Sequence, residues 1–237
     1  MISFIVAAKD LFINRKKTTE EFLEMMNSIL TRNNGCECVY SDYGSIDECK
    51  EILKSYPKIS YLYTKPNEGQ WLNISKCLNN ATVYSQKFII CPVGPDLRFE
   101  NTVITNIITY FLALGNIILR PQCYYLDEKR NIKNVTTSPF VLLRNTILVC
   151  KGWDERMFGW GKEDDDIVSR IYKYQRLHVV RISGFGFTHV YHDNTWAEEW
   201  DKSDKNLKIA NENYQNNAQN LINSYWRIDE NGQPIKV

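Results

Sequence analysis

The chain has 237 residues, 43% apolar and 24% charged, enough apolar surface to bury one sizeable core without a disulfide or metal staple and too much for a disordered chain. Its net charge of +1 supplies no field of the strength that a nucleic-acid groove or an acidic membrane surface calls for, so neither is an expected partner. Seven cysteines (Cys36, Cys38, Cys49, Cys77, Cys91, Cys123, Cys150) are an odd number in apolar surroundings and read as reduced core thiols; Cys36 and Cys38 lack the spacing of a zinc knuckle.

The apolar run Ile2–Ala8 ends at Lys9, too short for a signal peptide, and no stretch approaches the roughly 20 residues of a membrane span, so a soluble, cytoplasmic protein is expected. The same run reads as a buried strand of a parallel sheet. Thr18 or Thr19 can cap a helix to about residue 30, with Glu20 and Glu21 in its first turn and Phe22, Met25, Met26 and Ile29 on one face. Residues 38–42 predict a second strand closing on a Gly44 turn, and residues 46–55 a helix. Ile59–Tyr63 predicts a third strand, residues 71–84 a helix carrying Lys76 and Asn79, and residues 87–91 a fourth strand. Beyond residue 100 the pattern is mixed α+β: a helix at 103–114, strands at 116–120 and 140–143, a helix at Glu163–Gln175, a strand at 178–182, a helix at 207–225 and a tight turn at 229–232.

Strand and helix alternate as in an α/β doubly wound, mostly parallel sheet, whose ligands bind beyond the carboxyl ends of the strands. One domain is expected, with a first half over residues 1–100, a second over 101–200 and a C-terminal helix and tail over 201–237. The residues to examine are therefore Ala7, Ala8, Lys9 and Asp10 after the first strand, Asp42 after the second, and Gly94, Pro95 and Asp96 after the fourth. Neither G-x-G-x-x-G after the first strand nor a P-loop is present, which argues against a dehydrogenase and a P-loop NTPase.

The most informative stretch runs from Gly152 to Asp166, where Trp153, Gly159, Trp160 and Gly161 lead into Glu163, Asp164, Asp165 and Asp166. Acids in the first turn of a helix complement its macrodipole, but four exceed that need. Successive helical residues are about 100° apart, so one or two face a pocket while the others cap or meet solvent.

Gly159-Trp-Gly-Lys-Glu-Asp-Asp-Asp-Ile167, with Gly152-Trp-Asp-Glu155 upstream, resembles the acceptor-site signature of GT-A glycosyltransferases, especially the β-1,4-galactosyltransferase-like group and its chondroitin-type and GalNAc-transferase relatives. The likeness extends over roughly residues 1 to 195 and, without a membrane anchor, looks more like short soluble transferases of bacteria and large DNA viruses. It implies a GT-A fold and transfer of a sugar from a nucleotide diphosphate donor, most commonly UDP-linked, to a hydroxyl of a glycan or glycoprotein. It implies Mn²⁺ or Mg²⁺ held by a D-x-D acid, here Asp96 alone because Gly94 stands in the first position, and by a distal histidine, His192 or alternatively His189. In an extended segment residues three apart point to opposite faces, so one of these two is the expected ligand. The resemblance further implies Asp164 as general base, Glu163 as holder of a sugar hydroxyl and Trp160 as a flat face for a sugar ring. Asp42 would meet the uracil or ribose, with Ala7 and Ala8 leaving room for the base. Lys9, Asp10, Arg15, Lys76 and Asn79 would complete the donor site, with Lys9, Arg15, Lys76 and Arg98 as supplementary cations.

Those residue types suit the chemistry: cleaving a sugar-phosphate bond puts negative charge on the diphosphate, which a cation stabilises, and the attacking hydroxyl must lose a proton to a carboxylate. A single displacement of this kind inverts the anomeric centre. Gly94 keeps one alternative open, a non-catalytic nucleotide-sugar or glycan-binding module derived from a transferase.

Overall fold

The computed structural model describes residues 1–46, 48–69, 71–136, 139–159, 161–192, 203–215, 226–228 and 234–236. In chain order the first half comprises β1 (Ile2–Ala8), α1 (Leu11–Asn14), α2 (Lys16–Arg32), β2 (Cys36–Asp42), α3 (Cys49–Leu53), β3 (Ile59–Tyr63), α4 (Ile74–Tyr84) and β4 (Ile89–Pro92). The second half comprises β5 (Leu97–Arg98), α5 (Asn101–Leu114), β6 (Ile118–Leu126), β7 (Ile132–Thr136), β8 (Leu142–Leu143), α6 (Arg144–Val149), α7 (Glu163–Gln175) and β9 (Val179–His189). Then follow α8 (Ser203–Gln215), β10 (Trp226–Ile228) and β11 (Pro234–Lys236), the last two an antiparallel pair.

Two sheets carry the fold. The first has the order β3-β2-β1-β4-β8; β1 is parallel to β2 on one side and to β4 on the other, with Ile2 opposite both Cys36 and Ile89. Helices cover both faces, so β1 is buried on both, which is why its sequence is continuously apolar rather than alternating. Ile2, Phe4, Val6 and Ala8 pack on the layer built by α2 and α5. Ile5 points the other way, toward Leu78 of α4, Ile147 of α6 and Ile167 of α7. The second sheet has the order β5-β9-β6-β7. This is a doubly wound α/β plan with a mixed second half, as the resemblance implies.

Several boundaries differ from the sequence reading. Helix α2 begins at Lys16, and no side chain caps it: the Thr19 hydroxyl lies inside the helix and donates to the Arg15 carbonyl at 2.9 Å. The third helix is confined to Cys49–Leu53. Strand β7 was not legible because its residues are exposed, Ile132 at 60% and Val135 at 44%, so no alternation between core and solvent marks it. Helix α8 starts earlier than expected, and residues 216–225 and the turn at 229–232 lie outside the described residues. The described cysteines are all free, and among the described residues no helix is long and apolar enough to cross a membrane.

Strand β9 reaches the site by way of a bulge. Its pairing with β6 jumps from Ile182 opposite Pro121 to Gly186 opposite Gln122, leaving Ser183, Gly184 and Phe185 without partners in the ladder. Gly184 has φ +93°, and a Cβ on Gly186 would stand 1.8 Å from the Gln122 carbonyl oxygen. Backbone cannot yield as a side chain can, so Gly186→Ala should lower stability by about 1–3 kcal/mol or more. A urea unfolding midpoint equal to wild type would show that β9 does not lie this close to β6.

Candidate functional site

From β1 the chain winds outward through β2 to β3 and returns on the other side of β1 as β4. The strand order reverses between β1 and β4, so their connecting loops diverge and leave a crevice at the carboxyl ends. A pocket of about 480 Å³ occupies this crevice. Ala7, Lys9, Leu11 and Arg15 line it from the β1 side, the segment Pro92 to Leu97 from the β4 side, and Trp71, Leu72, Ile74 and Leu78 from the start of α4. Tyr125, Gly159, Glu163, Asp164, His189 and His192 close it from the second half.

Asp96 is the centre of one wall. Its Oδ2 accepts from Arg15 Nη1 at 2.9 Å and stands 3.1 Å from His192 Nε2 and 3.5 Å from His189 Nε2. The expectation of a single histidine is corrected: both converge. Strand β9 ends at His189, and Val190 N–H, donating to the Asp96 carbonyl at 2.9 Å, extends its antiparallel pairing with β5 by one rung and brings Asp96 alongside; His192 lies past the strand end, where the two-residue alternation no longer applies. Tyr125 stacks on His189 with ring centroids 4.5 Å apart and fixes its plane. Burial works to raise the Asp96 pKa, but hydrogen bonds from the two histidines and the Arg15 charge outweigh it and hold the carboxyl well below the usual range. One carboxylate and two imidazoles whose ligand atoms all lie within 4.8 Å of one another fit a divalent cation such as Mn²⁺ by donor chemistry. Gly94 contributes space rather than a ligand, since a Cβ there would meet Asp96 Oδ1 at 2.4 Å.

The acidic run opens α7 and divides as helical geometry requires. Glu163 and Asp164 face the pocket; Asp165 is exposed beside Lys162; Asp166 is buried against Arg170 at 2.7 Å, each side chain 1% exposed. Among the described residues, Glu163 Oε2 is buried without a hydrogen-bond partner. Burial, then the neighbouring Asp164 charge, push the Glu163 pKa upward. Burial pushes Asp164 upward too, more than the Arg120 charge pulls it down. Two acids at one pocket edge are thus moved toward neutrality, a shift shared by sites of proton transfer and by buried structural networks.

The remaining predicted donor residues divide in a way the sequence did not show. Ala7 lines the pocket while Ala8, one residue on, points into the core, as strand alternation dictates. Lys9 reaches the Gly44 carbonyl at 2.6 Å from the pocket rim. Asp10, in a left-handed conformation at φ 49°, accepts from Ile46 N–H at 2.8 Å and fixes the loop after β2. Pro95 is in the lining with Gly94 and Asp96. Asp42 stands outside it, 2% exposed, accepting from Ser45 and from the Tyr61 hydroxyl at 2.8 Å. Lys76 holds the Lys65 carbonyl at 2.8 Å and Asn67 Oδ1 at 2.6 Å. Arg98 binds the Pro95 and Thr18 carbonyls.

Asn79 clamps the Gly/Trp loop: its Oδ1 accepts from Trp153 N–H at 2.8 Å, and its Nδ2 donates to the Trp153 carbonyl at 2.9 Å. Gly152, at φ +71°, makes this approach possible, because a Cβ there would lie 2.4 Å from Asn79 Oδ1. Trp160 lies outside the described residues. Sequence reasoning missed Trp71, Leu72 and Tyr125 in the lining, and only the aromatic-rich character of those segments could have pointed to them.

A family model described as the N-terminal domain of galactosyltransferase matches residues 122–193, under a third of the chain and the part that runs from within β6 through α7 and β9 to His189 and His192. No curated protein matches the sequence. Among solved structures, S. aureus TarS is similar with a TM-score of 0.61 at 13% identity over 92% of this chain and 43% of that one. Residues 1–349 of TarS in complex with UDP-GlcNAc give 0.66 at 14% identity over 92% and 66%. Mannosyltransferase PcManGT from Pyrobaculum calidifontis, in complex with GDP-Man and Mn²⁺, gives 0.62 at 13% over 84% and 59%. The chain spans less than half of full TarS, and likeness at this identity establishes the fold.

The raised Glu163 pKa has a consequence for stability. The folded chain keeps a proton that the unfolded chain gives up, so stability is fully present below the ordinary glutamate pKa and is lost as pH rises through the higher folded value. Glu163→Gln removes that loss. Its urea midpoint should gain steadily on wild type as pH is raised from 4 to 8, whereas parallel curves would mean that Glu163 ionises as freely as in solvent.

Proposed function

We propose that this chain is a glycosyltransferase that moves a sugar from a UDP-linked nucleotide diphosphate donor to a hydroxyl of a glycan or glycoprotein acceptor with inversion at the anomeric carbon. The observation that carries the reading is the pairing, across one 480 Å³ pocket, of a cation-holding cluster (Asp96, His189, His192) with two carboxyls pushed toward neutrality (Glu163, Asp164). A reaction that expels a diphosphate while deprotonating a hydroxyl needs these two groups on opposite sides of the reacting carbon. The complexes of the structural neighbours with UDP-GlcNAc and with GDP-Man and Mn²⁺ support the same reading.

The diphosphate is assigned to the Asp96 side, where Arg15 and Lys9 add positive charge, and the nucleoside to the crevice above β1, where Ala7 leaves room. A divalent ion held by Asp96 and the histidines would neutralise the charge that builds on the departing phosphate. Asp164 faces the acceptor hydroxyl and takes its proton as the hydroxyl oxygen bonds to the anomeric carbon. The bond from that carbon to the phosphate oxygen breaks, and the electron pair leaves with the nucleoside diphosphate. Glu163, one helical step away, accepts from or donates to a sugar hydroxyl. A second reading, a binding module without turnover, draws on Gly94, which removes one acid from the phosphate end; it predicts donor binding with no transfer.

Calorimetry of the protein against UDP- and GDP-sugars, with and without Mn²⁺, is the first test. Micromolar binding of one donor, tightened by Mn²⁺ in wild type and indifferent to it in Asp96→Ala, is the expected outcome; no binding to any donor sinks both readings. With the donor known, Asp164→Asn should keep donor affinity within about twofold and lose roughly 10²- to 10⁴-fold in transfer rate. In wild type the rate should rise with pH along a limb displaced above the ordinary aspartate range, because the base must first lose its own raised proton. Near-normal transfer by Asp164→Asn would assign the base elsewhere.

A further inference from the structure

Helix α8 follows the segment that the family model matches, and it docks on the site in an unusual way. Among its described residues the two buried side chains are Asn206, 1% exposed, and Asn213, 5% exposed, while Leu207 is 42% exposed. Seven residues is about two turns, so both asparagines lie on one face. A helix held by the hydrophobic effect would present its leucine and isoleucine there. This one presents amides, whose bonds are directional and fix what they touch.

What they touch is the acceptor side of the pocket. Asn206 Nδ2 donates to the Gly161 carbonyl at 2.7 Å and more weakly to that of Phe158 at 3.4 Å, spanning the loop that precedes Glu163. Lys205 lies over the Phe158 ring, 4.1 Å from its centroid. The far side of the same loop is tied to the segment just before α4, where Gly159 N–H donates to the Leu72 carbonyl at 2.8 Å. Asn213 sits between two buried carboxylates: its Nδ2 donates to Asp154 Oδ2 at 3.0 Å and to Asp166 Oδ1 at 2.8 Å, and its Oδ1 accepts from Arg156 Nη2 at 2.8 Å. A neutral side chain with two N–H donors and one acceptor answers all three groups at once, which a carboxylate or a hydroxyl could not.

We propose that Asn206 and Asn213 are positioning residues: α8 is a clasp that holds the 158–161 loop and the first turn of α7 so that Glu163 and Asp164 face the donor. Neither asparagine lines the pocket; Asn206 acts through the loop carbonyls and Asn213 through Asp154 and Asp166. This role rests on the assignment of Glu163 and Asp164 to sugar transfer, but the clasp itself can be measured without it.

Hydrogen exchange on the full chain, comparing wild type with Asn206→Ala and Asn213→Ala, reads the clasp directly. Loss of one buried hydrogen bond should speed exchange of the 158–166 amides about threefold to tenfold in Asn206→Ala, with the amides of β1, β2 and β4 unchanged. Exchange that stays at wild-type rates, or rises equally throughout the chain, overturns the clasp. Asn213→Ala strands two buried carboxylates and can fail to fold; Asn206→Ala, which frees only loop carbonyls, then decides alone. With the donor identified by calorimetry, Asn206→Ala should raise the acceptor KM or lower kcat by about tenfold while the donor Kd stays within twofold. A donor Kd that weakens in step with transfer would overturn the positioning role. Local exchange changes in a protein that transfers no sugar would leave the clasp standing and remove the functional reading instead.

Discussion

The site depends on an ion pair that is almost sealed from water. Asp166 and Arg170, one turn apart on α7 and each 1% exposed, would separately be very costly to bury. They are tolerable because each is fully engaged. Arg170 donates to the carbonyls of Cys150 and Gly152 at 2.8 Å, and Asp166 accepts from Asn213. The pair therefore bolts the base of α7 to the Gly152 loop and to α8 together. Removing one partner of such a pair costs about 3–5 kcal/mol, and here it would also release the helix end that carries Glu163 and Asp164. Three of the four acids in the run are thereby accounted for, one as anchor and two as pocket residues, with Asp165 left to solvent.

The same loop is clamped from the opposite side by Asn79 of α4, whose amide brackets the backbone of Trp153. Because α4 packs under β1 and β4 through Leu78 and Ala81, the acid-bearing turn is referenced to the strands that hold the other half of the site. Asp96 and the histidines are referenced to those strands as well, through the β4 end and the bulged course of β9. The two clusters thus line one crevice from opposite halves of the chain, an arrangement that the proposed transfer would use.

The first half of the fold was legible because β1, buried on both faces, writes a continuous apolar run, while the edge strand β3, part-buried, writes an alternating one; Ile2–Ala8 and Ile59–Tyr63 were both read to the residue. Helix α7 was legible at both ends for a different reason, since its acids mark the start and polar residues the finish. Exposed β7 and the short α1 and α6 left no periodic trace. In the site, the residue types of the Gly/Trp/acid stretch were informative, whereas the roles of Asp42, Lys76 and Asn79 were not. Asp42 closes a local turn with Ser45 but also accepts from Tyr61, and Lys76 and Asn79 hold Lys65 and Trp153; these last three partners lie 19, 11 and 74 residues away in sequence, and no local spacing encodes them. The convergence of His189 and His192 depends on where β9 stops, which alternation alone could not fix. Asn206 and Asn213 looked like ordinary polar residues on a solvated helix.

The central claim is that Asp96, His189 and His192 hold a cation against the diphosphate of a sugar donor. Pulsed electron-nuclear resonance on protein loaded with Mn²⁺ and a nucleotide sugar measures this directly. The account predicts nitrogen couplings from imidazole together with phosphorus couplings from the donor, the nitrogen signal being lost when both histidines are replaced by alanine. A spectrum of hydrated Mn²⁺ alone, or of nitrogen-bound Mn²⁺ that no nucleotide sugar perturbs, would contradict it.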